Sequence, residues 1–248
     1  MIVLTALTGY PKEKIYNFVS SLNLTGFDGR KIVLYYEPEK KVKQYLEEEG
    51  WEVFTYPKPK FYINFQRRVD FIDIIKDLKL DDDTICCTDI RDVYFAKDPS
   101  KIPSSFFLGL DDNVTIENSR WNSRSIKLRH PQYYDELKNY IPLNAGVMVT
   151  KGSIMRDFFV DYCKIVTSRN YSDLTIPCSG VDQSTFNLLA YTSYKNFLSE
   201  KPDKYVLHMA NLDNTEESQL EGYYIYHQYE RNKKHKEYVV NLNKKSYI

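Results

Sequence analysis

The stretch that decides the fold is Thr84–Phe95, with the sequence TICCTDIRDVYF. Its first five residues form a largely apolar run without Gly or Pro, which is typical of a strand buried in a sheet. Two carboxylates, Asp89 and Asp92, follow this run directly. Open α/β sheets bind their ligands at the carboxyl ends of the strands. The stretch therefore predicts a buried strand that carries two acidic side chains to a ligand-binding edge.

The rest of the first half alternates strand and helix patterns. Apolar runs predict strands at 2–7, 31–36 and 51–56, and apolar residues at helical spacing predict helices at 11–22, 40–50 and 63–78. Pro11 suits the first position of a helix, and Gly50 suits the residue that follows one. Alternation of this kind predicts an α/β protein with a mostly parallel central sheet and helices on both faces, in three α/β/α layers.

The second half is less regular. Its patterns predict short strands at 106–110, 146–150, 205–208 and 223–226, and helices at 115–128, 131–140, 154–168 and 181–191. The tail at 232–248 is polar and rich in lysine, and we expect it to be loosely held. No linker divides the sequence, so the 248 residues are expected to form a single domain.

Charge and hydropathy exclude several classes of function. Lys plus Arg number 34 and Asp plus Glu also number 34, and such a neutral chain lacks the basic face that broad nucleic-acid binding requires. No apolar run reaches the roughly 18 residues of a membrane span, and the N-terminal residues do not resemble a signal peptide. We therefore expect a soluble protein without integral membrane association, located in the cytoplasm.

The four cysteines give no sign of a metal site or of a disulfide framework. They are Cys86, Cys87, Cys163 and Cys178, and no two of them have the CxxC spacing of zinc ligands. We expect free or buried thiols, which suit a reducing compartment.

The two carboxylates after the predicted strand suit a metal ion. Asp89 and Asp92 offer hard oxygen ligands of the kind that Mg²⁺ and Mn²⁺ prefer, and they leave coordination positions for phosphate oxygens. Arg91 between them can pair with a carboxylate or a phosphate. A structural interpretation stands beside this one, in which the two acids only cap a turn and Arg91 is solvated.

The segment TDIRDVYFAKDP at 88–99 resembles a TDxRDVxFxxDP variant of the DxD metal motif of GT-A glycosyltransferases. Further segments match the same family pattern in the same order, namely RR at 67–68, ENSRWN at 117–122, LNAGVMV at 143–149, GVDQ at 180–183 and YIYHQYER at 224–231. The resemblance covers most of the chain. It implies a Rossmann-like GT-A fold with a small antiparallel extension on the acceptor side, a nucleotide-binding half at 1–110 and an acceptor-side half at 111–231.

The resemblance also implies an activity and a metal site. The expected reaction transfers a sugar from a UDP- or GDP-type donor to a glycan or glycoprotein acceptor, with Mn²⁺ or Mg²⁺ as cofactor. Asp89 and Asp92 are the expected metal ligands, and a late histidine, His227, is expected to complete the set. The acids here are spaced Asp-x-x-Asp rather than Asp-x-Asp, so the sequence leaves open which of them contacts the metal directly. A structural role for His227 is the alternative, and His208 is the competing late histidine.

The nucleotide is expected at the end of the first strand. Thr5, Ala6 and Tyr10 lie where such folds hold the base and ribose, and the Tyr10 ring can stack on the base. The resemblance places a basic residue in the helix before the motif, and we assign Arg68 to the diphosphate. An ordinary strand–loop junction and a solvated arginine are the alternative interpretations.

The sugar is expected to contact residues of the second half. Asn144 can bond to sugar hydroxyls, since the small residues that follow it permit close approach. The resemblance implies that Asp182 and Gln183 lie near the sugar, although a favourable helix-start position also explains Asp182. We assign Asp182, Asp92 and Asn144 to catalysis. If the transfer inverts the anomeric centre, Asp182, Asp111 or Asp112 is the candidate base.

Three other functions compete with this one. A sugar-nucleotide nucleotidyltransferase would open with a Gly-rich, Arg-containing loop, whereas residues 7–11 read LTGYP. A phosphohydrolase with Asp89 as nucleophile would need a second acidic cluster and a lysine at later strand ends. A non-catalytic carbohydrate-binding domain would bind glycan without any metal-dependent affinity for nucleotides. The sequence does not give the sugar, the base, the acceptor, the stereochemical outcome or the oligomeric state.

Overall fold

The computed structural model describes residues 1–105, 107–168, 180–199, 204–210, 212 and 220–245. Within this part of the chain, the strands are β1 Ile2–Thr8, β2 Arg30–Tyr36, β3 Glu52–Tyr56, β4 Thr84–Thr88, β5 Val93–Phe95, β6 Phe107–Leu110, β7 Leu143–Lys151, β8 Val206–His208 and β9 Ile225–His227. The α-helices there are α1 Lys12–Leu24, α2 Lys40–Glu48, α3 Ile63–Asp77, α4 Arg120–Arg129, α5 Tyr134–Leu137, α6 Gly152–Ser168, α7 Val181–Tyr191 and α8 Lys233–Lys245.

Six strands form a mixed central sheet in the order β3-β2-β1-β4-β7-β6. The pairs from β3 to β4 are parallel, and β7 is antiparallel to both of its neighbours. The first half therefore supplies the parallel part of the sheet, as strand–helix alternation predicts. This confirms an α/β fold with a mostly parallel sheet, consistent with a Rossmann-like architecture.

Alternate residues of β1 face opposite sides of the sheet and fill two separate cores. Ile2, Leu4 and Ala6 pack in the core that includes residues of α3, α6 and α7. Val3 and Leu7 pack in the core that includes residues of α1 and α2. The two-residue period of a strand explains this division, and the largely apolar sequence of β1 follows from burial on both faces. Helices thus cover both faces of the sheet.

A second, three-stranded sheet has the order β5-β9-β8. We expected a small antiparallel extension, but only the β5–β9 pair is antiparallel, and β8 runs parallel to β9. The register places His227 opposite both Val93 and His208. Since β5 begins only five residues after β4 ends, this register brings β9 to the carboxyl edge of the central sheet.

Three segments of the second half differ from the sequence expectation. The Asn144–Ala145–Gly146 segment lies inside β7 rather than before it, because its backbone groups are bonded within the sheet and by neighbouring side chains. Helix α4 begins at Arg120 rather than at residue 115, since a turn with Asn118 N–H bonded to the Thr115 carbonyl precedes it. Only a 3₁₀ turn and the short α5 occupy the segment predicted as a helix at 131–140.

The tail that we expected to be loosely held contains helix α8, which packs against α1. His235 and Val239 are buried because a spacing of four residues places them on the same face of the helix. Among the helices of the described ranges, none has the length and apolar character that crossing a lipid bilayer would require.

The described cysteines are free thiols, as predicted. Cys86 and Cys87 are buried in β4, and Cys163 is partly buried in α6. Cys178 and Phe106, the first residue of a predicted strand, lie outside the described residues.

Candidate metal centre and the cavity around it

A cavity of about 880 Å³ opens at the carboxyl ends of β1 and β4. This volume lies within the range of roughly 300–1,000 Å³ that small-molecule sites occupy. The lining combines carboxylates, carboxamides, arginines, histidines and aromatic rings: Asp89, Asp92, Asp111, Asp112, Asp182, Asn64, Asn122, Asn144, Gln183, Gln228, Arg67, Arg91, Arg120, Arg231, His208, His227, Tyr10, Tyr62 and Trp121. Such a lining suits a polar ligand with charged groups and hydroxyls.

Two carboxylates and one imidazole meet at the floor of this cavity. Asp89, Asp92 and His227 each offer one ligand atom, and the three atoms lie within 4.8 Å of one another. His227 Nε2 lies 3.6 Å from Asp89 Oδ2 and 3.8 Å from Asp92 Oδ1. The His227 side chain is 1% exposed, and its Nε2 has no hydrogen-bond partner among the residues that the structure describes. A buried nitrogen without a partner is costly, and a cation held between it and the two carboxylates would remove that cost. The three side chains therefore fit a divalent metal ion.

Backbone contacts hold the segments that carry these side chains. The Asp89 N–H donates to the Gly146 carbonyl of β7 at 2.8 Å, and the Asp92 carbonyl accepts from Gln228 N–H at 2.7 Å. A Cβ atom at Gly146 would lie 2.5 Å from His227 Nε2, so β7 can pass the imidazole only with glycine at this position. The candidate metal site thus depends on three separate parts of the sequence, which carry Asp89 and Asp92, Gly146, and His227.

Arg67 keeps Asp89 ionised. Its guanidinium lies 2.5 Å from Asp89 Oδ1, and the other carboxylate oxygen faces His227. Burial alone would raise the pKa of Asp89, but the nearby Arg67, together with His227, outweighs burial and holds that pKa well below its usual range. One oxygen of Asp89 therefore remains available as an anionic metal ligand.

Arg68, which we had assigned to the diphosphate, does not line the cavity. Its guanidinium is buried beneath the sheet, where it donates to the Ala145 carbonyl at 3.1 Å. It also lies 5.0 Å from the ring centre of Phe159 and 4.9 Å from that of Phe186. The adjacent Arg67 is the arginine of this pair that lines the cavity.

The residues predicted to hold the nucleotide divide in the same way. Thr5 is fully buried and donates to the Thr88 carbonyl at 2.8 Å, so its hydroxyl braces β1 against β4 and does not reach the cavity. Ala6 and Tyr10 do line the cavity. Tyr62, which the sequence interpretation missed, lines it as well.

The residues predicted to contact the sugar all line the cavity. Asn144 donates to Asp111 at 2.7 Å and accepts from Gly146 N–H at 2.7 Å. The Gln183 amide accepts from Ala145 N–H and donates to the Leu143 carbonyl, so it holds the backbone of β7. Both polar atoms of the Gln183 amide thus have backbone partners in β7, while the residue still lines the cavity.

Asp182 lies at the first turn of α7, on the cavity wall. One of its oxygens accepts from Gln183 N–H at 2.9 Å and the other from Asn64 at 3.3 Å. Its carboxylate is partly exposed, so it remains accessible to a ligand in the cavity. Asn64 is a further lining residue that the sequence interpretation did not single out.

A second histidine lies directly behind His227. The Nδ1 atoms of His208 and His227 are 3.2 Å apart, and His208 Nε2 lies 3.2 Å from Asp111 Oδ1. Burial lowers the pKa of His208 well below its usual value, and burial raises the pKa of Asp111 against the hydrogen bonds from Asn122 and Asn144. The two late histidines therefore do not compete for one role, because they form a contact pair.

Trp121 is an exposed aromatic ring that lines the cavity, with 48% of its surface accessible. It belongs to the ENSRWN segment, and its neighbour Asn122 is buried against Asp111 at 2.8 Å. The sequence signal for Trp121 was its place in that segment; no pattern in the sequence singled out Tyr62 or Asn64.

Comparison of this chain with models of known protein families gave no match, and comparison with curated proteins gave none. The geometry of the cavity is therefore the basis for assigning a function.

Proposed function

We propose that this protein is a GT-A-type glycosyltransferase that uses a divalent metal to transfer a sugar from a nucleotide-diphosphate donor to a hydroxyl acceptor. One observation carries the proposal. The buried and unpaired Nε2 of His227 faces two carboxylates, Asp89 and Asp92, in a polar cavity at the carboxyl edge of an α/β sheet. The resemblance of the 88–99 segment to the DxD motif adds independent support.

Asp89 Oδ2, Asp92 Oδ1 and His227 Nε2 are the atoms that would hold the metal. An imidazole nitrogen among carboxylate oxygens favours Mn²⁺ over Mg²⁺, because Mg²⁺ prefers an all-oxygen shell. When bound, the metal would neutralise the charge that develops on the diphosphate leaving group. Arg67 is not assigned to neutralise the diphosphate, since its guanidinium already pairs with Asp89.

The nucleotide fits the side of the cavity formed by the end of β1. Tyr10 and Tyr62 provide aromatic faces for the base, and the small side chain of Ala6 permits close approach of the ribose. Arg91 lies 5.8 Å from the Tyr10 ring centre and 3.8 Å from Asp92, between the candidate base site and the metal site. Arg91, together with the exposed Arg231, therefore replaces Arg68 as the candidate donor to the diphosphate.

The sugar and acceptor fit the opposite side, where carboxylates and carboxamides face the cavity. Asn144 and Asp111 form a buried pair that can orient hydroxyl groups. In an inverting transfer, a carboxylate takes the proton of the acceptor hydroxyl as the anomeric carbon passes through an oxocarbenium-like state. Asp182 is the best candidate for this base, because the carboxylate of Asp111 is buried and accepts from Asn122 and Asn144.

Calorimetric titration with UDP, GDP and dTDP, with and without Mn²⁺, tests the proposal. We expect one of the nucleotides to bind in a strictly Mn²⁺-dependent manner, and we expect Asp92→Asn to abolish that binding. Asp98→Asn is the matched control, because Asp98 belongs to the same motif but caps the turn at Pro99–Lys101 outside the cavity. Equal nucleotide affinity in the presence of a chelator would overturn the metal proposal.

Turnover then separates the competing functions. With Mn²⁺ and a nucleotide sugar of the base identified by calorimetry, we expect slow release of free nucleoside diphosphate and faster release when an acceptor glycan is present. Release of pyrophosphate from a nucleoside triphosphate and sugar phosphate would indicate a nucleotidyltransferase instead. Glycan binding without any nucleotide binding would indicate a carbohydrate-binding domain.

A further inference from the structure

We propose that Asp111 and His208 act as positioning residues that hold His227 in the tautomer with a bare Nε2, ready to bind a metal. The series of contacts runs from Asp111 to His208, from His208 to His227, and from His227 to the space between Asp89 and Asp92. Its functional role rests on the proposed metal site, whereas the tautomer of His227 depends only on the geometry.

The first link is the contact between Asp111 and His208. Both Asp111 oxygens accept hydrogen bonds from carboxamides, Oδ1 from Asn144 at 2.7 Å and Oδ2 from Asn122 at 2.8 Å. Amide N–H groups can only donate, so both Asp111 oxygens act as acceptors in these contacts. His208 Nε2 lies 3.2 Å from Asp111 Oδ1, so this nitrogen carries a proton.

The second link is the contact between the two histidines. Their Nδ1 atoms are 3.2 Å apart, so one nitrogen donates and the other accepts. The His208 ring is buried, and burial disfavours the charged imidazolium. With its proton on Nε2, neutral His208 accepts at Nδ1, and His227 therefore donates from Nδ1.

The third link follows from the second. With its proton on Nδ1, the His227 imidazole has a lone pair on Nε2. This lone pair faces Asp89 at 3.6 Å and Asp92 at 3.8 Å, both of which are acceptors as well. The three atoms are all acceptors and none of them brings a proton, which explains why Nε2 has no hydrogen-bond partner in the described part of the chain. A cation satisfies all three.

The fold fixes this arrangement. Strands β8 and β9 pair in parallel with His208 opposite His227, and the two ring centres are 5.0 Å apart. Asp111 follows β6, and its Oδ1 contacts His208 Nε2 and accepts a hydrogen bond from Asn144. One carboxylate thus connects a cavity-lining amide on the candidate sugar side to a candidate metal ligand. Partners that fix the tautomer of a ligating histidine typically change metal affinity about 10- to 100-fold when they are removed.

Two substitutions of His208 separate this role from simple space filling. In His208→Asn, the amide oxygen can take the place of Nδ1 and accept from His227. In His208→Gln, the longer amide reaches toward Asp111 instead and leaves the His227 Nδ1 proton without an acceptor. Titration with Mn²⁺ alone, followed by calorimetry, is expected to give an affinity within about threefold of the wild type for the Asn variant and about 10- to 100-fold weaker for the Gln variant. Thermal unfolding of each variant checks that it is folded.

Nitrogen-15 spectra of the histidine rings in the metal-free protein provide the second measurement. The expected spectrum shows His227 protonated on Nδ1 and His208 protonated on Nε2. A proton on His227 Nε2, or equal Mn²⁺ affinity of wild type and the Gln variant, would overturn the inference. Failure of the wild type to bind Mn²⁺ would instead contradict the proposed function, and the ring spectra would still decide the tautomer.

Discussion

Gly146 lies so close to the His227 ring that no residue with a side chain fits at position 146. A Cβ atom there would lie 2.2 Å from Cε1 of the imidazole. Contacts below about 3 Å between such atoms force one group to move. The His227 ring is buried and is held from behind by His208, so the added methyl group must displace either the ring or β7. The close approach of a strand to a candidate metal ligand is therefore a sensitive test of the site.

We expect Gly146→Ala to weaken Mn²⁺ binding by at least 10-fold, because His227 Nε2 can no longer reach the point between the carboxylates. Overpacking of this kind also costs about 1–3 kcal/mol of unfolding free energy. Gly109→Ala is the control, since the added methyl group there meets only the Val206 side chain, at 3.1 Å. Calorimetry and urea unfolding measure both effects, and unchanged Mn²⁺ affinity in Gly146→Ala would remove His227 from the metal site.

The adjacent arginines of α3 are expected to respond differently to substitution. Arg67→Met removes the partner of Asp89 and should lower the unfolding free energy by about 1–3 kcal/mol at neutral pH. The low pKa of Asp89 in the folded state means that this stabilisation is present above the unfolded pKa of about 3.9 and is lost as the pH falls below it. The difference in unfolding free energy between the wild type and Arg67→Met should therefore become smaller as the pH falls from 5 to 3.

Arg68→Met is the comparison for that series. Arg68 packs against aromatic rings and donates to the Ala145 carbonyl, neither of which titrates. The loss of unfolding free energy in Arg68→Met should therefore be nearly independent of pH over the same range. Urea unfolding at four pH values measures both variants. If the losses of unfolding free energy in the two variants change with pH in parallel, the Arg67–Asp89 ion pair does not stabilise the protein as its geometry indicates.

The sequence was sufficient to predict the position of the acidic pair but not its surroundings. The apolar run at 84–88, followed at once by Asp89 and Asp92, can form little else than a buried strand with acids at its carboxyl end. Arg67 and Arg68 are different, because the helical period does not separate adjacent residues on the broad buried face of α3. Only the packing decides that one guanidinium reaches Asp89 and the other reaches the aromatic core.

The contact between His208 and His227 depends on strand register, which a single sequence does not reveal. β8 and β9 have three residues each, and a shift of one residue would turn either ring to the opposite face. Thr5 illustrates the same limit, since the alternation of β1 indicates that it is buried but not that its hydroxyl bonds to β4. His227 was predicted only through the family resemblance, because an isolated histidine between aromatic residues is usually structural.

Stability of the metal-free protein is expected to fall as the pH falls below about 6.5. Burial lowers the pKa of His208 and of His235 in the folded state, so below this pH the unfolded chain binds more protons than the folded one. Each histidine then lowers the unfolding free energy by up to about 1.4 kcal/mol per pH unit. His208→Asn should flatten the slope between pH 6.5 and 5, and His235→Asn should flatten it as well. Urea unfolding without metal tests this, and a slope that both variants leave unchanged would contradict it.

Trp121 is expected to bind a sugar ring of the acceptor or donor. Nearly half of this large aromatic surface is exposed at the cavity wall, where its face can pack against a sugar ring. Ring interactions of about 0.5–1.5 kcal/mol predict that Trp121→Ala weakens glycan binding or raises the acceptor KM roughly 2- to 10-fold. Mn²⁺-dependent nucleotide binding should remain unchanged, because Trp121 is not among the metal ligands. Leu128→Ala is the control, since Leu128 is 64% exposed on the same helix and does not line the cavity. A loss of nucleotide affinity with intact acceptor KM would place Trp121 on the nucleotide side of the cavity instead.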